Sequence, residues 1–160
     1  MAPKLGIVAG GGELPARLIS ACCATGRSYF ILAIEGQAAP ECFTGEPQEW
    51  IRLGEGGKGI DLLREAGVED LVFAGAVKRP GLAELRPDKR TAKLLARIGR
   101  AWAGDNALLS AVVREVESEG FRVVAPQTLL TDSLAAERAY GSHVPDDVAR
   151  HDIERGIAVV

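Results

Sequence analysis

The sequence predicts an α/β protein: a Rossmann-like, three-layer domain on a mostly parallel sheet of about five strands. Three observations carry this expectation. Apolar runs at 5–9 (LGIVA), 28–34 (SYFILAI) and 70–76 (DLVFAGA) have the length and β-branched content of buried strands. Helical patterns alternate with them, as the crossovers of a parallel sheet require. Glycine clusters stand where strand passes to helix, at Gly10, Gly11 and Gly12 and again over 54–59. At 160 residues, 47% hydrophobic and 26% charged, the chain has material for one well-filled core. Residues 1–143 are expected to form a phosphate- or nucleotide-binding domain, with 144–160 a linker helix.

The first strand, Lys4–Ala9, stops at the triple glycine, and Pro15 suits the first turn of a helix because its missing N–H was unpaired there anyway. Glycine allows positive φ and close approach of a ligand to the main chain. The N–H groups and dipole of the next helix favour an anion, typically a phosphate. The alternative is a tight turn without a ligand. The helix Leu14–Thr25 puts Leu14, Leu18, Ala21, Cys22 and Thr25 on one face and stops at Gly26. After the strand Ser28–Ile34, the aperiodic stretch Glu35–Glu49 reads as a loop crossing a ligand site. Trp50–Leu53 is expected as a short third strand.

Residues 54–59, GEGGKG, match G-x-G-x-x-G and open a helix expected over Ile60–Ala66. The acidic residue wanted about 20 positions on for a dinucleotide is absent, since Glu69 and Asp70 come too early, which argues against a dehydrogenase. Lys58 there reads either as a charge added to backbone donors around a phosphate or as a solvated surface lysine. The strand Asp70–Ala76 carries Gly75 and leads into Lys78 and Arg79. Ligands of open parallel sheets sit beyond the carboxyl ends of the strands, so Lys78 and Arg79 fall at the same edge as Gly10–Gly12.

Lys78, Arg79, Arg86, Lys89, Arg90, Lys93, Arg97 and Arg100 face only Glu84 and Asp88 within 78–100, although the whole chain has net charge −3. Asp88 is a plausible N-cap after Pro87. Lys89, Lys93, Arg97 and Arg100 recur at helical spacing, opposite Leu94, Leu95, Ile98, Ala101 and Trp102. Such a face is either solvated on a core-packed helix or set against an anionic surface such as the inner membrane. Acidic overall charge, few aromatics and the lack of a known motif argue against nucleic acid. Asp105 is read as the cap of a helix Asn106–Glu119, with a metal as its other role, and Leu109, Val112, Val113 and Val116 are expected inward. Phe121–Ala125 is the last expected strand, and Pro145–Val160 a polar helix.

Cys22, Cys23 and Cys42 lack metal spacing and are read as reduced thiols. His143 and His151 give a histidine-based zinc site or triad little to work with. No apolar run approaches the roughly 20 residues that cross a bilayer, and no signal peptide is read at the N-terminus, so a cytoplasmic location is expected.

Taken together, IVAGGGELP, LGEGGK, VFAGAVKRP, LRPD, GDNALL and EGFRVV resemble, in order and spacing, the N-terminal half of the LpxI-type UDP-2,3-diacylglucosamine pyrophosphatases, over nearly all of 4–157. The resemblance implies a hydrolase of lipid A biosynthesis that cleaves UDP-2,3-diacylglucosamine to UMP and lipid X with a divalent metal, Mg or Mn. It implies a Rossmann-like N-terminal domain joined to a C-terminal domain that carries a catalytic carboxylate. The chain is therefore expected to be a substrate-binding half, inactive alone, whose exposed apolar surface favours homo-oligomers. A non-catalytic nucleotide-binding or assembly domain is the alternative. The ligand-binding residues expected are Gly10, Gly11, Gly12, Lys58, Gly75, Lys78 and Arg79, with Asp105 as metal ligand.

Overall fold

The computed structural model describes residues 2–78, 85–98, 105–130, 141–142 and 144–159. Five parallel strands form one sheet in the order β3-β2-β1-β4-β5, with β1 Leu5–Ala9, β2 Tyr29–Ile34, β3 Gln48–Ile51, β4 Asp70–Ala74 and β5 Arg122–Val123. The described helices are α1 Leu14–Thr25, α2 Gly56–Glu65, α3 Lys89–Ile98, α4 Asp105–Ser118 and α5 Asp147–Val159. The expected fold class is the one observed.

Alternation of side chains along the central strands divides the core. Leu5, Ile7, Ile31 and Val72 point to the face covered by α1, where Leu18, Ile19 and Cys22 meet them. Leu32, Ile51 and Leu71 belong to the opposite cluster, with Ile60 and Leu63 of α2 and Val116 of α4. Gly6 lies on the α2 face, where a Cβ would stand 2.8 Å from Val68, 2.9 Å from Leu71 and 3.0 Å from Leu63 of α2. Sheet between two helical layers follows directly from this pattern.

Several boundaries differ from the sequence-based expectation. The buried face of α1 is Pro15, Leu18, Ile19 and Cys22, so Thr25 lies off it and instead returns its hydroxyl to the Ala21 carbonyl, at 2.8 Å. Gly26 does end α1, at φ 66, with its N–H on the Cys23 carbonyl. β3 begins two residues earlier than expected, because Gln48 and Glu49 pair with Ile31 and Leu32. β4 stops at Ala74, where Gly75 turns to φ 91. Leu109 is 53% exposed, and among the described side chains of α4 Val116 is the buried one. β5 holds only two paired residues, while Phe121 just before it is buried. No described residue of α5 is buried. None of the described helices is long and apolar enough to cross a membrane.

The far edge of the sheet is locked by one carboxylate. Asp70 opens β4 with 3% exposure and receives Arg122 Nε at 2.7 Å, Arg122 Nη2 at 2.8 Å and Arg27 Nη2 at 2.5 Å. Arg122 holds the Asp70 carboxyl below its ordinary pKa, burial opposes this, and Arg27 reinforces it. A folded pKa below the unfolded value of about 3.9 means that the stabilisation is complete above that value and is lost as pH falls through the folded one. Asp70→Asn leaves two guanidinium groups facing a neutral amide and, because Arg122 is largely exposed, is expected to cost about 1–2 kcal/mol at neutral pH, the scale of lost charge-assisted hydrogen bonds. Urea midpoints followed into acid should fall less steeply in Asp70→Asn than in the unaltered protein; equal acid slopes would remove Asp70 from the linkage.

Candidate functional site

Strand order reverses between β1 and β4, since β2 and β3 lie on one side and β5 on the other. A crevice at the carboxyl ends of such a pair is where open α/β sheets take ligands. Here the two strand exits are bound to each other. Gly10 N–H donates to the Ala74 carbonyl at 2.8 Å, Gly11 N–H to the Ala76 carbonyl at 2.8 Å, and Ala76 N–H returns to the Gly11 carbonyl at 2.9 Å. A Cβ on Gly10 would sit 2.5 Å from the Ala76 oxygen, and one on Gly75 would run into the Gly11 carbonyl oxygen. These glycines are required by the approach of one backbone to another. The donors of Gly10 and Gly11 are therefore spent inside the protein.

What remains for an anion starts at Gly12. Among the described residues no hydrogen bond uses the Gly12 N–H, and α1 has no side-chain cap. Gly12 stands at φ 93 in open space, exposed at the crevice. Pro15 sits in the first turn, so the orphan N–H groups there are those before and after it. Lys78 is exposed four residues beyond the end of β4. Arg79 lies outside the described residues.

The second glycine cluster has a different role. α2 begins at Gly56, four residues earlier than its periodicity indicates, because residues far along the chain supply its cap. Gly57 N–H donates to Asp88 Oδ2 at 2.7 Å, Lys58 N–H to the same oxygen at 3.3 Å, and Gly56 N–H to Thr91 Oγ1 at 3.0 Å. The other oxygen of Asp88 accepts from Thr91 N–H at 2.7 Å, which caps α3 as the sequence indicated. The anion at this helix start is thus the protein's own carboxylate. Burial works against the Asp88 charge, yet the hydrogen bonds from Thr91, Gly57 and Lys58 hold its pKa below the ordinary value. Lys58 directs its ammonium to the Trp50 carbonyl at 3.3 Å, on the β3 side of the sheet edge. Gly59 is packed so closely that a Cβ would lie 3.0 Å from Ile51 and 3.1 Å from Leu32.

An apolar cavity of about 530 Å³ opens beside the crevice, between the sheet and helices α2, α3 and α4. Gly75 and Val77, at the exit of β4, line it together with Leu53, Leu85, Leu94 and Leu95. Its rim carries Arg90 and Glu115, paired at 3.2 Å. Arg97 also reaches Glu115, at 3.0 Å, and Arg90 contacts Glu119. The cations of α3 are thus divided between paired and solvated ones. Arg90 and Arg97 meet carboxylates of α4, Lys89 and Lys93 are exposed, and Arg100 lies outside the described residues.

The family can now be stated. The LpxI N-terminal domain model matches residues 4–133. The chain belongs to that family. It is also 35% identical, over 157 residues, to the UDP-2,3-diacylglucosamine pyrophosphatase LpxI of Caulobacter vibrioides, an alignment covering 98% of this chain and 56% of that relative. The chain thus spans a little over half the relative's length. As to the metal ion implied by the LpxI resemblance, no group of three His, Cys, Asp or Glu residues comes together among the described residues. The backbone of Asp105 opens α4, and its side chain lies outside what the structure describes.

Sequence reasoning missed two residues here, Asp88 as the cap of α2 and Gln37. The signal for the first was available: a helix that starts in glycines with only Glu55 ahead of it lacks a good N-cap of its own. For Gln37 there was none beyond its place in the loop after β2. Glycine requirements separate by substitution. Gly12→Ala meets only the cost of positive φ, about 1–2 kcal/mol. Gly75→Ala adds the collision with the Gly11 carbonyl and should lose at least about 3 kcal/mol by denaturant titration. An equal loss at the two positions would contradict the close approach.

Proposed function

We propose that this chain is the substrate-holding domain of a UDP-2,3-diacylglucosamine pyrophosphatase, taking part in hydrolysis of that nucleotide-linked lipid to UMP and lipid X in lipid A synthesis. The observation that carries the proposal is the shared exit of β4. Gly75 and Val77 line the apolar cavity, and Lys78 next to them stands exposed at the crevice with the free start of α1. A ligand with a diphosphate and acyl chains has the two chemistries that this edge offers side by side.

Hydrolysis of a pyrophosphate breaks one bridging P–O bond as water adds to phosphorus, so negative charge must be neutralised and the leaving phosphate stabilised. Gly12, the first turn of α1 and Lys78 supply donors and charge for that purpose, with Lys58 and Arg79 as further cations in this reading. The cavity is lined mainly by apolar side chains, the kind of surface that accepts hydrocarbon. Placing one acyl chain there removes apolar surface from water at about 25 cal/mol per Å². The water attack and the divalent ion, Mg or Mn, draw on groups beyond the described residues.

Titration of the chain with UDP-2,3-diacylglucosamine, and with UDP as the chain-free control, tests this. Lys78→Ala is expected to weaken the lipid about tenfold, the scale of one charge-assisted contact. Leu94→Asp should weaken the lipid and leave UDP unchanged. UMP release with Mg²⁺ or Mn²⁺ should not occur with this chain alone. Absence of lipid binding would overturn the substrate-holding assignment, and turnover would overturn the division of labour.

A further inference from the structure

The loop after β2 reaches across the end of β1 to the loop after β4. Gln37 does this with its carboxamide: Lys78 N–H donates to Gln37 Oε1 at 2.8 Å, and Gln37 Nε2 donates to the Lys78 carbonyl at 3.4 Å. Both backbone groups of one residue are thus held by one side chain. Gln37 is itself fixed. Its N–H and that of Ala38 both donate to the Ile34 carbonyl, at 3.1 and 3.0 Å, and Gly36 turns the chain at φ 71. Beneath the bridge, a Cβ on Gly11 would lie 3.0 Å from the Gln37 carbonyl oxygen, so the loop rests directly on the triple glycine.

We propose that Gln37 is a positioning residue of this site, which by pairing with both backbone groups of Lys78 sets where the lysine ammonium stands relative to Gly12 and the start of α1. The proposal rests on the reading of Lys78 as a ligand-binding residue. Ala76 is tied to the turn after β1 through its bridge to Gly11. Among the described residues, the Gln37 amide is the only hydrogen-bonding partner of the Lys78 backbone. Without it, the ammonium would sample a wider range of positions, and ligand binding would have to order it.

A double-mutant cycle separates positioning from general support of the fold. Gln37→Met keeps the length of the side chain and removes both hydrogen bonds; Gln37→Ala removes the side chain beyond Cβ. With UDP-2,3-diacylglucosamine as probe, each is expected to weaken binding about fivefold with Lys78 present, and by less than about twofold in a Lys78→Ala background, a coupling of ordinary size for residues in contact. The amide exchange of Lys78 should accelerate in Gln37→Met while that of Ala76 stays protected. Fully additive losses, or a Gln37→Met variant that binds as the unaltered chain while Lys78→Ala is weakened, would reject the positioning role and leave the site standing. Lys78→Ala without effect would reject the site reading itself, and the positioning role with it.

Discussion

The contact on which the rest of this domain depends is the passage of one strand exit over another at Gly10, Gly11 and Gly75. Hydrogen bonds between β1 and β4 continue past the ends of the regular strands into the Gly11–Ala76 bridge. Side chains would block it, which explains glycine on both partners. The bridge has two opposing effects on function. It holds the crevice open in one shape, and it consumes the backbone donors that a glycine-rich turn usually offers to phosphate. In the proposed reading, an anion at this edge would therefore meet Gly12 and the start of α1, together with side-chain cations, rather than Gly10 and Gly11.

The two glycine clusters look alike as text and differ in physics. At 54–59 the helix start is already satisfied by Asp88 and Thr91, so a phosphate there would have to displace a carboxylate holding three backbone donors, counting that of Thr91. The contact also explains the stretch that precedes Asp88. Arg86 stands at φ 39, Asp88 N–H donates to the Gly54 carbonyl at 2.9 Å, and a Cβ on Gly54 would strike the Leu85 carbonyl. LRPD and LGEGGK, separate motifs in the sequence, are two halves of one helix cap.

Strands and helices whose burial follows their own periodicity were readable: β1, α1, β2 and β4 come within one or two residues of expectation. The failures have a common cause, since each involves a partner distant in sequence. Gly56 and Gly57 are poor helix formers until Asp88 arrives from some thirty positions on. Gln48 and Glu49 lack strand character and are paired because β2 presents a free edge. Leu109 matches an inward position of α4, yet the cavity leaves it half uncovered. The basic stripe of α3 was legible as charge, but the answering Glu115 lies on α4 and Glu119 just past its end. In the site, the sheet edge and Lys78 followed from topology, whereas the pairing of Gln37 with a backbone leaves no trace in composition.

The two faces of the sheet are built for different ends. Under α1 the apolar side chains of β1, β2 and β4 meet Leu18, Ile19, Cys22 and Phe43 in a filled layer. On the other face, Leu32, Ile51 and Leu71 meet Ile60, Leu63 and Val116, and towards α3 Leu94 and Leu95 line the apolar cavity of about 530 Å³. Polar contacts do much of the work of holding α3 in place: the Asp88 and Thr91 caps at its start, and the Arg90 and Arg97 pairs along its rim. Partly exposed pairs of that kind contribute only up to about 1 kcal/mol each. In the proposed reading, an apolar chain entering the cavity would meet Leu94 and Leu95 and leave the Asp88 cap intact, because that cap faces the start of α2.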